Sequence, residues 1–276
     1  MHSPLHIFDL PPELWSVILS HSSVHDVCAL RLVSRKMQAL ANANYDGVLR
    51  AIPWKVKHLE YTFPRASFDI VGIDSVSHIP RSLLAHSRVR GVSFLRAPLL
   101  DDLHLLARVH SVDLSHTPVT DVSALRRVHT LYLSQTLVTD VSALARVHTL
   151  DLTRTPVTDI SALTRVHTLN LNYTKVSDVS ALARVHTLSL ICTPVSDVSM
   201  LGGAHKLALM FTQVTDVSAL GRVHTLNLAH TAVRDVSALG RVHTLDLGYT
   251  QVSDGSALGG VHSLNVRKTP LSNVSV

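Results

Sequence analysis

The sequence is poor in the residues that many functional classes require. Among 276 residues there are only two cysteines, Cys28 and Cys192, and aromatic residues make up 4% of the chain. Two cysteines so far apart give no disulfide framework, and they favour a reducing compartment. There is no glycine-rich phosphate loop, no His-Glu-x-x-His and no cysteine pair at zinc spacing. No cofactor and no metal site is therefore predicted.

Signals for targeting or membrane insertion are also not found in the sequence. Residues 1–10 contain no cationic start followed by an apolar core, and no uninterrupted apolar run approaches the length of a membrane span. These features predict a soluble intracellular protein, cytoplasmic or nuclear.

What the sequence has instead is one unit that recurs every 19 residues. In the copy at residues 128–146 the unit begins Val-His-Thr-Leu and ends Ser-Ala-Leu-Ala-Arg. Nine histidines, nine threonines and eight aspartates recur at this step, starting from His110, Thr117 and Asp121. A period this strict predicts a solenoid in which each unit packs on its neighbours.

Within the unit, six aliphatic slots recur. In the copy at residues 128–146 they are Val128, Leu131, Leu133, Val138, Val141 and Leu144. The first two leucines alternate with polar neighbours, as in a short strand. Asp140 then stands where its side chain can cap a tight helical turn.

This pattern resembles the leucine-rich repeat, whose strand signature L-x-x-L-x-L-x-x-N stands here as Val128, Leu131, Leu133 and Thr136. The resemblance implies an α/β solenoid with a parallel β-sheet on one side. The unit is shorter than most of the family, so short turns or 3-10 helices are expected on the convex side. Threonine replaces the usual asparagine in all nine copies, so hydroxyl groups must take over the buried hydrogen bonds there. The repeats are assigned to residues 89–276.

Residues 6–46 do not follow the repeat, and three short helices are predicted in them. Two runs of residues match the pattern L-P-x-E-L-x-x-x-I-L followed by D-L-x-x-L-x-x-V-S-R: Leu10, Pro11, Glu13, Leu14, Ile18 and Leu19, then Asp26, Leu30, Val33, Ser34 and Arg35. With this match the segment resembles an F-box. The resemblance implies a surface that binds a Skp-family adaptor, formed by Leu10, Pro11, Glu13, Leu14, Ile18, Leu19 and Val33. The alternative is that these helices only cap the first repeat. Residues 47–88 are interpreted as a linker and a degenerate N-terminal repeat cap, with a possible strand near Val56 and another at Ile70.

Each repeat contains Asp, Ser and His, but this does not predict catalysis. A catalytic site needs one convergent constellation, whereas these residues recur in equivalent copies along the stack. The histidines are expected to stack about 4.8 Å apart. A metal held by two neighbouring imidazoles is the less favoured interpretation, because no carboxylate or thiol is fixed beside them. Seven arginines at the same step are interpreted as a solvated flank, since the net charge is only +5.

Variation between repeats marks a candidate recognition surface. The slots equivalent to Tyr132, Ser134 and Gln135 change freely while the framework does not, and they are expected to face outward on the sheet. Neutral drift on an exposed surface is the alternative. The predicted target-binding residues are Tyr132, Arg154, Tyr173, Ile191, Cys192, Met210, Phe211 and Tyr249.

The combination resembles the F-box proteins with leucine-rich repeats. It implies a substrate-recognition subunit of a Skp-cullin-F-box ubiquitin ligase, without an active site of its own, in a eukaryotic cell. Its partners would be a Skp-family adaptor with its cullin complex and an unknown protein target, and the receptor would be monomeric. Two alternatives remain: an interaction protein without a ligase role, and a polyanion or nucleic-acid binder that uses the arginines.

Overall fold

The computed structural model describes residues 48–51, 67–73, 89–94 and 102–271. Residues 6–46, with their predicted F-box helices, lie outside the described residues, as does the strand predicted near Val56.

The described part of the chain forms one parallel sheet of twelve strands that follow one another in sequence order. The strands are β1 Val48–Ala51, β2 Ser67–Ile73, β3 Val89–Phe94, β4 Ser111–Asp113, β5 Thr130–Tyr132, β6 Thr149–Asp151, β7 Thr168–Asn170, β8 Thr187–Ser189, β9 Lys206–Ala208, β10 Thr225–Asn227, β11 Thr244–Asp246 and β12 Ser263–Asn265. The predicted α/β solenoid with a parallel sheet is confirmed.

The register of the sheet carries the repeat. From β4 onward, each strand residue pairs with the residue 19 positions later in the next strand, so that Leu131 is opposite Leu150 and Thr130 is opposite Thr149. The step from β3 to β4 is 20 residues, because Val92 is opposite Val112. Equivalent residues of successive repeats therefore stand side by side, in columns that run across the strands.

The sheet also extends into residues 47–88. Strand β1 pairs in parallel with β2, and β2 pairs with β3 through a register shift. The apolar run at Ile70, predicted as a degenerate strand, lies in β2, whereas β1 was not anticipated.

Short helical turns form the other side of each repeat, as the unit length predicts. The 3-10 helices are Leu103–Leu106, Ser123–Leu125, Ser142–Leu144, Ser180–Leu182, Ser199–Leu201, Ser218–Leu220, Ser237–Leu239 and Ser256–Gly260. Across the described ranges, no helix has the length and apolar character needed to cross a membrane.

The core lies between the sheet and these turns. All six predicted aliphatic slots are buried, and in the copy at residues 128–146 they are at most 2% exposed. Leu131 lies in the strand, whereas Leu133 follows the end of the strand and is buried as well. Removing such aliphatic surface from water is the main stabilising contribution of each repeat.

Two polar side chains fix the turns of each repeat. Asp140 Oδ1 accepts the backbone N–H of Ser142 at 2.8 Å, at the residue where the 3-10 helix begins. Thr136 Oγ1 donates to the carbonyl of Leu133 at 2.7 Å, and its side chain is buried. The hydroxyl therefore satisfies a carbonyl within its own repeat, which confirms that threonine takes over the buried hydrogen bond at this turn.

Candidate functional site

The predicted recognition slots form three columns that run across the strands. The inner column contains Tyr132 and its equivalents, the last residues of strands β4 to β12. The middle column contains Ser134 and its equivalents, and the turn column contains Gln135 and its equivalents. The strands end at the inner column, so the turn column lies in the turn that follows. The prediction that its residues face outward on the sheet is therefore wrong for this column.

Most side chains of the inner column stabilise the turn that follows them in the same repeat. In six repeats an Asp or Asn side chain there accepts the backbone N–H two residues later, as in an Asx turn. These residues are Asp113, Asp151, Asn170, Asn227, Asp246 and Asn265. Their acceptor–donor distances are 2.8–3.1 Å. The side chains of this column therefore serve the fold in most repeats.

One inner-column exception is compensated by a neighbouring repeat. Ser189 does not cap its own turn, and Asn172 of the preceding repeat accepts the backbone N–H of Ile191 at 2.8 Å. The same Asn172 oxygen accepts the hydroxyl of Ser189 at 2.7 Å. The turn that contains Ile191, where the most apolar part of the surface begins, is thus held by a side chain of the preceding repeat.

The turn column has a left-handed backbone in every repeat. Nine non-glycine residues there have φ between 56° and 62°. They are His116, Gln135, Arg154, Tyr173, Cys192, Phe211, His230, Tyr249 and Lys268. This conformation favours glycine and asparagine, and neither residue occurs in the column.

Aromatic side chains of the turn column stack on one another. The ring centroids of Phe211 and His230 are 4.3 Å apart, and those of His230 and Tyr249 are also 4.3 Å apart. Tyr173 stands two repeats before Phe211, and the Cζ atom of Arg154 lies 4.9 Å from its ring centroid, as in a cation–π contact. The three large rings remain in solvent, with Tyr173 and Phe211 50% exposed and Tyr249 44% exposed.

The predicted target-binding residues separate into two groups. Seven of them lie in the turn column or the middle column between the repeats of Arg154 and Tyr249, where Ile191 and Met210 are half-buried beside Cys192 and Phe211. Tyr132 is exposed but stands in the inner column, one repeat before Arg154. His230 was not among the predicted residues, although its place 19 residues after Phe211 and 19 before Tyr249 was a usable signal.

A second row of stacked rings lies on the opposite edge of the sheet, just before each strand. Neighbouring rings from His110 to His262 have centroids 4.4–4.8 Å apart. The interplanar angle is 26–27° on both sides of His205, where Lys206 replaces threonine, and 35° between His243 and His262, where Ser263 does. In six repeats a threonine contacts the ring at 3.3 Å, as between His129 Nδ1 and Thr130 Oγ1.

The histidine row offers no converging metal ligands. Nearly parallel rings point their nitrogen lone pairs in the same direction, whereas a metal at about 2.0–2.1 Å from each nitrogen needs them to converge. Among the described residues, no group of three or more His, Cys, Asp or Glu side chains is placed to hold a metal ion. The arginines two residues before these histidines are exposed, as in Arg127 and Arg146.

Acidification is expected to destabilise the solenoid in two stages. The pKa values of His129, His148 and His205 lie below 6.5, first because stacking removes water from the rings and second because neighbouring histidines repel a positive charge. The pKa of Asp140 lies below 3.8, because its carboxylate accepts the N–H of Ser142. The histidines and Asp140 bind protons more readily in the unfolded state. Their contribution to the stability of the folded state is therefore present above the unfolded pKa and is lost as pH falls.

The urea midpoint measured between pH 8 and pH 3 tests this expectation. A first decline should begin near the unfolded histidine pKa of 6.5 and a second near the unfolded aspartate pKa of 3.8. The variant with His129→Gln, His148→Gln and His205→Gln should show a weaker first decline and an unchanged second one. A urea midpoint that stays constant from pH 7 to pH 5 would contradict the expected loss of stability when the stacked histidines are protonated.

The fold and these columns can be compared with known proteins. An internalin (InlF) from Listeria monocytogenes str. 4b F2365 superposes with a TM-score of 0.63 at 21% identity, covering 96% of this chain and 76% of the internalin. A leucine-rich-repeat protein from Leptospira interrogans has a TM-score of 0.56 at 13% identity and covers 86% of this chain and 69% of its own. The InlJ functional domain from Listeria monocytogenes has a TM-score of 0.50 at 18% identity, covering 68% of this chain and 50% of that one. At these identities the similarity shows the fold alone, which is that of a leucine-rich-repeat solenoid.

The N-terminal segment is identified by sequence. A family model for the F-box domain matches residues 7–46, close to the predicted bounds of 6–46. No curated protein sequence matches the chain. The protein therefore combines an F-box domain with a leucine-rich-repeat solenoid.

Proposed function

We propose that this protein is the substrate-recognition subunit of a Skp-cullin-F-box ubiquitin ligase. The single observation that carries the proposal is the F-box match at residues 7–46 on the same chain as a leucine-rich-repeat solenoid. F-box domains generally bind Skp-family adaptors, and leucine-rich-repeat domains bind protein targets. Linking the two on one chain holds a target near the ubiquitin-transferring machinery and raises its effective concentration there.

In this proposal the protein performs no chemistry itself. The Asp, Ser and His side chains that could suggest catalysis serve the repeat: Asp140 caps a turn, while His129 stacks in a row of equivalent rings. Equivalent copies give no single site with distinct acid, base and nucleophile environments. The protein would act as a monomeric receptor in the cytoplasm or nucleus of a eukaryotic cell.

Adaptor capture tests the proposal directly. The resemblance assigns the adaptor surface to apolar residues within residues 7–46, so changing Leu10→Ala and Pro11→Ala together should abolish capture of a purified Skp-family adaptor. Losing two central apolar contacts of such a surface is expected to weaken binding by about 2 kcal/mol or more. Pull-down followed by titration calorimetry measures the effect.

The chain offers a matched control for this experiment. Pro12 occupies the variable position of the L-P-x-E-L pattern, so Pro12→Ala should retain capture. Circular dichroism should show the repeats folded in both variants, because they lie outside the changed segment. Capture that survives in the double variant, or no capture by the unchanged protein, would leave an interaction protein whose N-terminal helices only cap the solenoid.

A further inference from the structure

The side chains of the turn column make none of the turn-capping hydrogen bonds that the inner-column side chains make. Among the described residues, no turn-column side chain donates or accepts a hydrogen bond, whereas the inner column caps its turns in six repeats. The backbone there would favour glycine or asparagine, yet the column contains Arg154, Tyr173, Phe211 and Tyr249 instead. The repeat imposes this backbone conformation in every copy, and it places the side chains of the column at the turn edge.

The column also concentrates exposed apolar surface. Six large hydrophobic side chains are exposed in the described part of the chain, and Tyr173, Phe211 and Tyr249 are three of them. The half-buried Ile191 and Met210 lie beside this row in the middle column. Contiguous apolar surface of this kind marks interaction sites on otherwise polar proteins.

The way the rings stack decides what class of partner fits. The faces of Phe211, His230 and Tyr249 cover one another at 4.3 Å, so a nucleic-acid base cannot enter between them. Within this stack the ring edges point to solvent, and they carry the positive part of the aromatic quadrupole. Ring edges accommodate aliphatic and aromatic side chains and the carbonyl oxygens of a polypeptide.

Basic residues at the two ends of the turn column add a second requirement for the partner. Arg154 stands at one end, and Arg267 and Lys268 stand at the other. Between them, neither the turn column nor the middle column contains an acidic residue. The carboxylates of Asp151 and Asp246 lie in the inner column, where each accepts a backbone N–H of its own turn.

The length of the row sets the length of the occupant. Arg154 and Lys268 are 114 residues apart, which is six repeats of 19. At about 4.8 Å per strand the row spans about 29 Å, and an extended chain at about 3.3 Å per residue covers that distance with about nine residues.

We propose that the turn column from Arg154 to Lys268 binds an extended peptide segment of about nine residues, with acidic residues at its ends and apolar or aromatic residues between them. The segment crosses the strands along the turn edge and places its apolar side chains against Tyr173, Phe211 and Tyr249. This inference rests on the proposed function, because it names the kind of target segment that the receptor would recognise.

Selection from a library of displayed random peptides of about 12 residues tests the proposal on the full chain. The unchanged protein should enrich peptides with acidic ends and apolar or aromatic centres. Fluorescence anisotropy with the most enriched peptide should then show roughly tenfold to thirtyfold weaker binding to the variant with Phe211→Ser and Tyr249→Ser, as for hot-spot residues. Met200→Ser, which removes an exposed apolar side chain from the 3-10 helix Ser199–Leu201 outside the three columns, is the matched control and should bind normally.

Charge reversal gives the second arm of the experiment. The variant with Arg154→Glu and Lys268→Glu should lose the enriched peptide and select peptides with basic ends. Enrichment of no peptide, enrichment without the acidic and apolar pattern, or normal binding by the Phe211→Ser and Tyr249→Ser variant overturns the proposal. So does full displacement of the peptide by a single-stranded oligonucleotide at physiological salt.

Two controls keep this result separate from the proposed function. The Phe211→Ser and Tyr249→Ser variant should still capture the Skp-family adaptor, since its changes lie outside residues 7–46. Its melting temperature should fall only slightly, because both rings are about half-exposed and lose mainly their stacking on His230. Loss of adaptor capture by the unchanged protein, with peptide selection as expected, would refute the ligase role and leave the peptide site standing.

Discussion

Deletion of residues 147–165, one whole period, is expected to leave a folded and cooperatively melting solenoid. Arg146 would then be followed by Val166, which occupies the same slot as Val147. Leu131 would be opposite Leu169 in place of Leu150, so every column of buried leucines would stay continuous. Each repeat contacts mainly its neighbours, and the stability lost is that of one unit and one interface.

Deletion of residues 147–156 should have a far larger effect. It removes Leu150, Leu152 and Thr155, all buried, and leaves the rest of that unit without a strand. Removing a buried leucine costs about 2–5 kcal/mol, so two of them approach the total of about 5–15 kcal/mol that stabilises a typical protein. Much of the solenoid should unfold.

Circular dichroism and thermal melts of the two deletions measure the difference. A deletion of residues 166–184 is the control for position, and it should behave as the first deletion does. Equal tolerance of the 19-residue and the ten-residue deletions would mean that the repeat is not the unit of structure.

The period made the sheet and core predictable. A slot such as that of Leu131 is filled by an aliphatic residue in repeat after repeat, so its burial follows without knowledge of the rest of the chain. The same holds for Thr136, whose hydroxyl replaces the usual asparagine amide and bonds to Leu133. Repetition averages out the ambiguity that a single short apolar segment would leave.

The candidate site was less predictable, for two different reasons. The strand ends at Tyr132, so the position of Gln135 in a left-handed turn depends on where the ladder of backbone hydrogen bonds stops. No glycine or asparagine in that column signals the turn. The capping role of Asp151 and its equivalents, in contrast, could have been found, because Asp or Asn recurs there in six repeats and such residues favour Asx turns.

A third signal in the sequence is the glycine that replaces larger residues in the later repeats. The slot after each 3-10 helix holds Ala145 and Ala183 in earlier repeats, but Gly202, Gly221 and Gly240 in later ones. These glycines have ordinary right-handed backbone angles, so their conformational freedom is not what the position requires. What distinguishes them is space: the next repeat lies close against these glycines, whereas earlier repeats accommodate Arg126 and Thr164 in the same slot.

Gly221→Ala is therefore expected to destabilise the protein. A Cβ atom added to Gly221 would lie 2.4 Å from the backbone carbonyl oxygen of Ala238, and a backbone oxygen cannot turn aside as a side chain can. Overpacking of this kind typically costs about 1–3 kcal/mol. The backbone angles alone would favour alanine by about 0.4–1 kcal/mol through the unfolded state, so the sign of the result separates the two effects.

Gly259→Ala supplies the matched control, since Gly259 fills the same slot in the last described repeat. In the described part of the chain, a Cβ atom there meets nothing within 4 Å. Urea denaturation should show a lower midpoint for Gly221→Ala and an unchanged or slightly higher one for Gly259→Ala. If the two variants had equal midpoints, the repeats around Gly221 would be able to move apart, and their close approach would not be a constraint on the sequence.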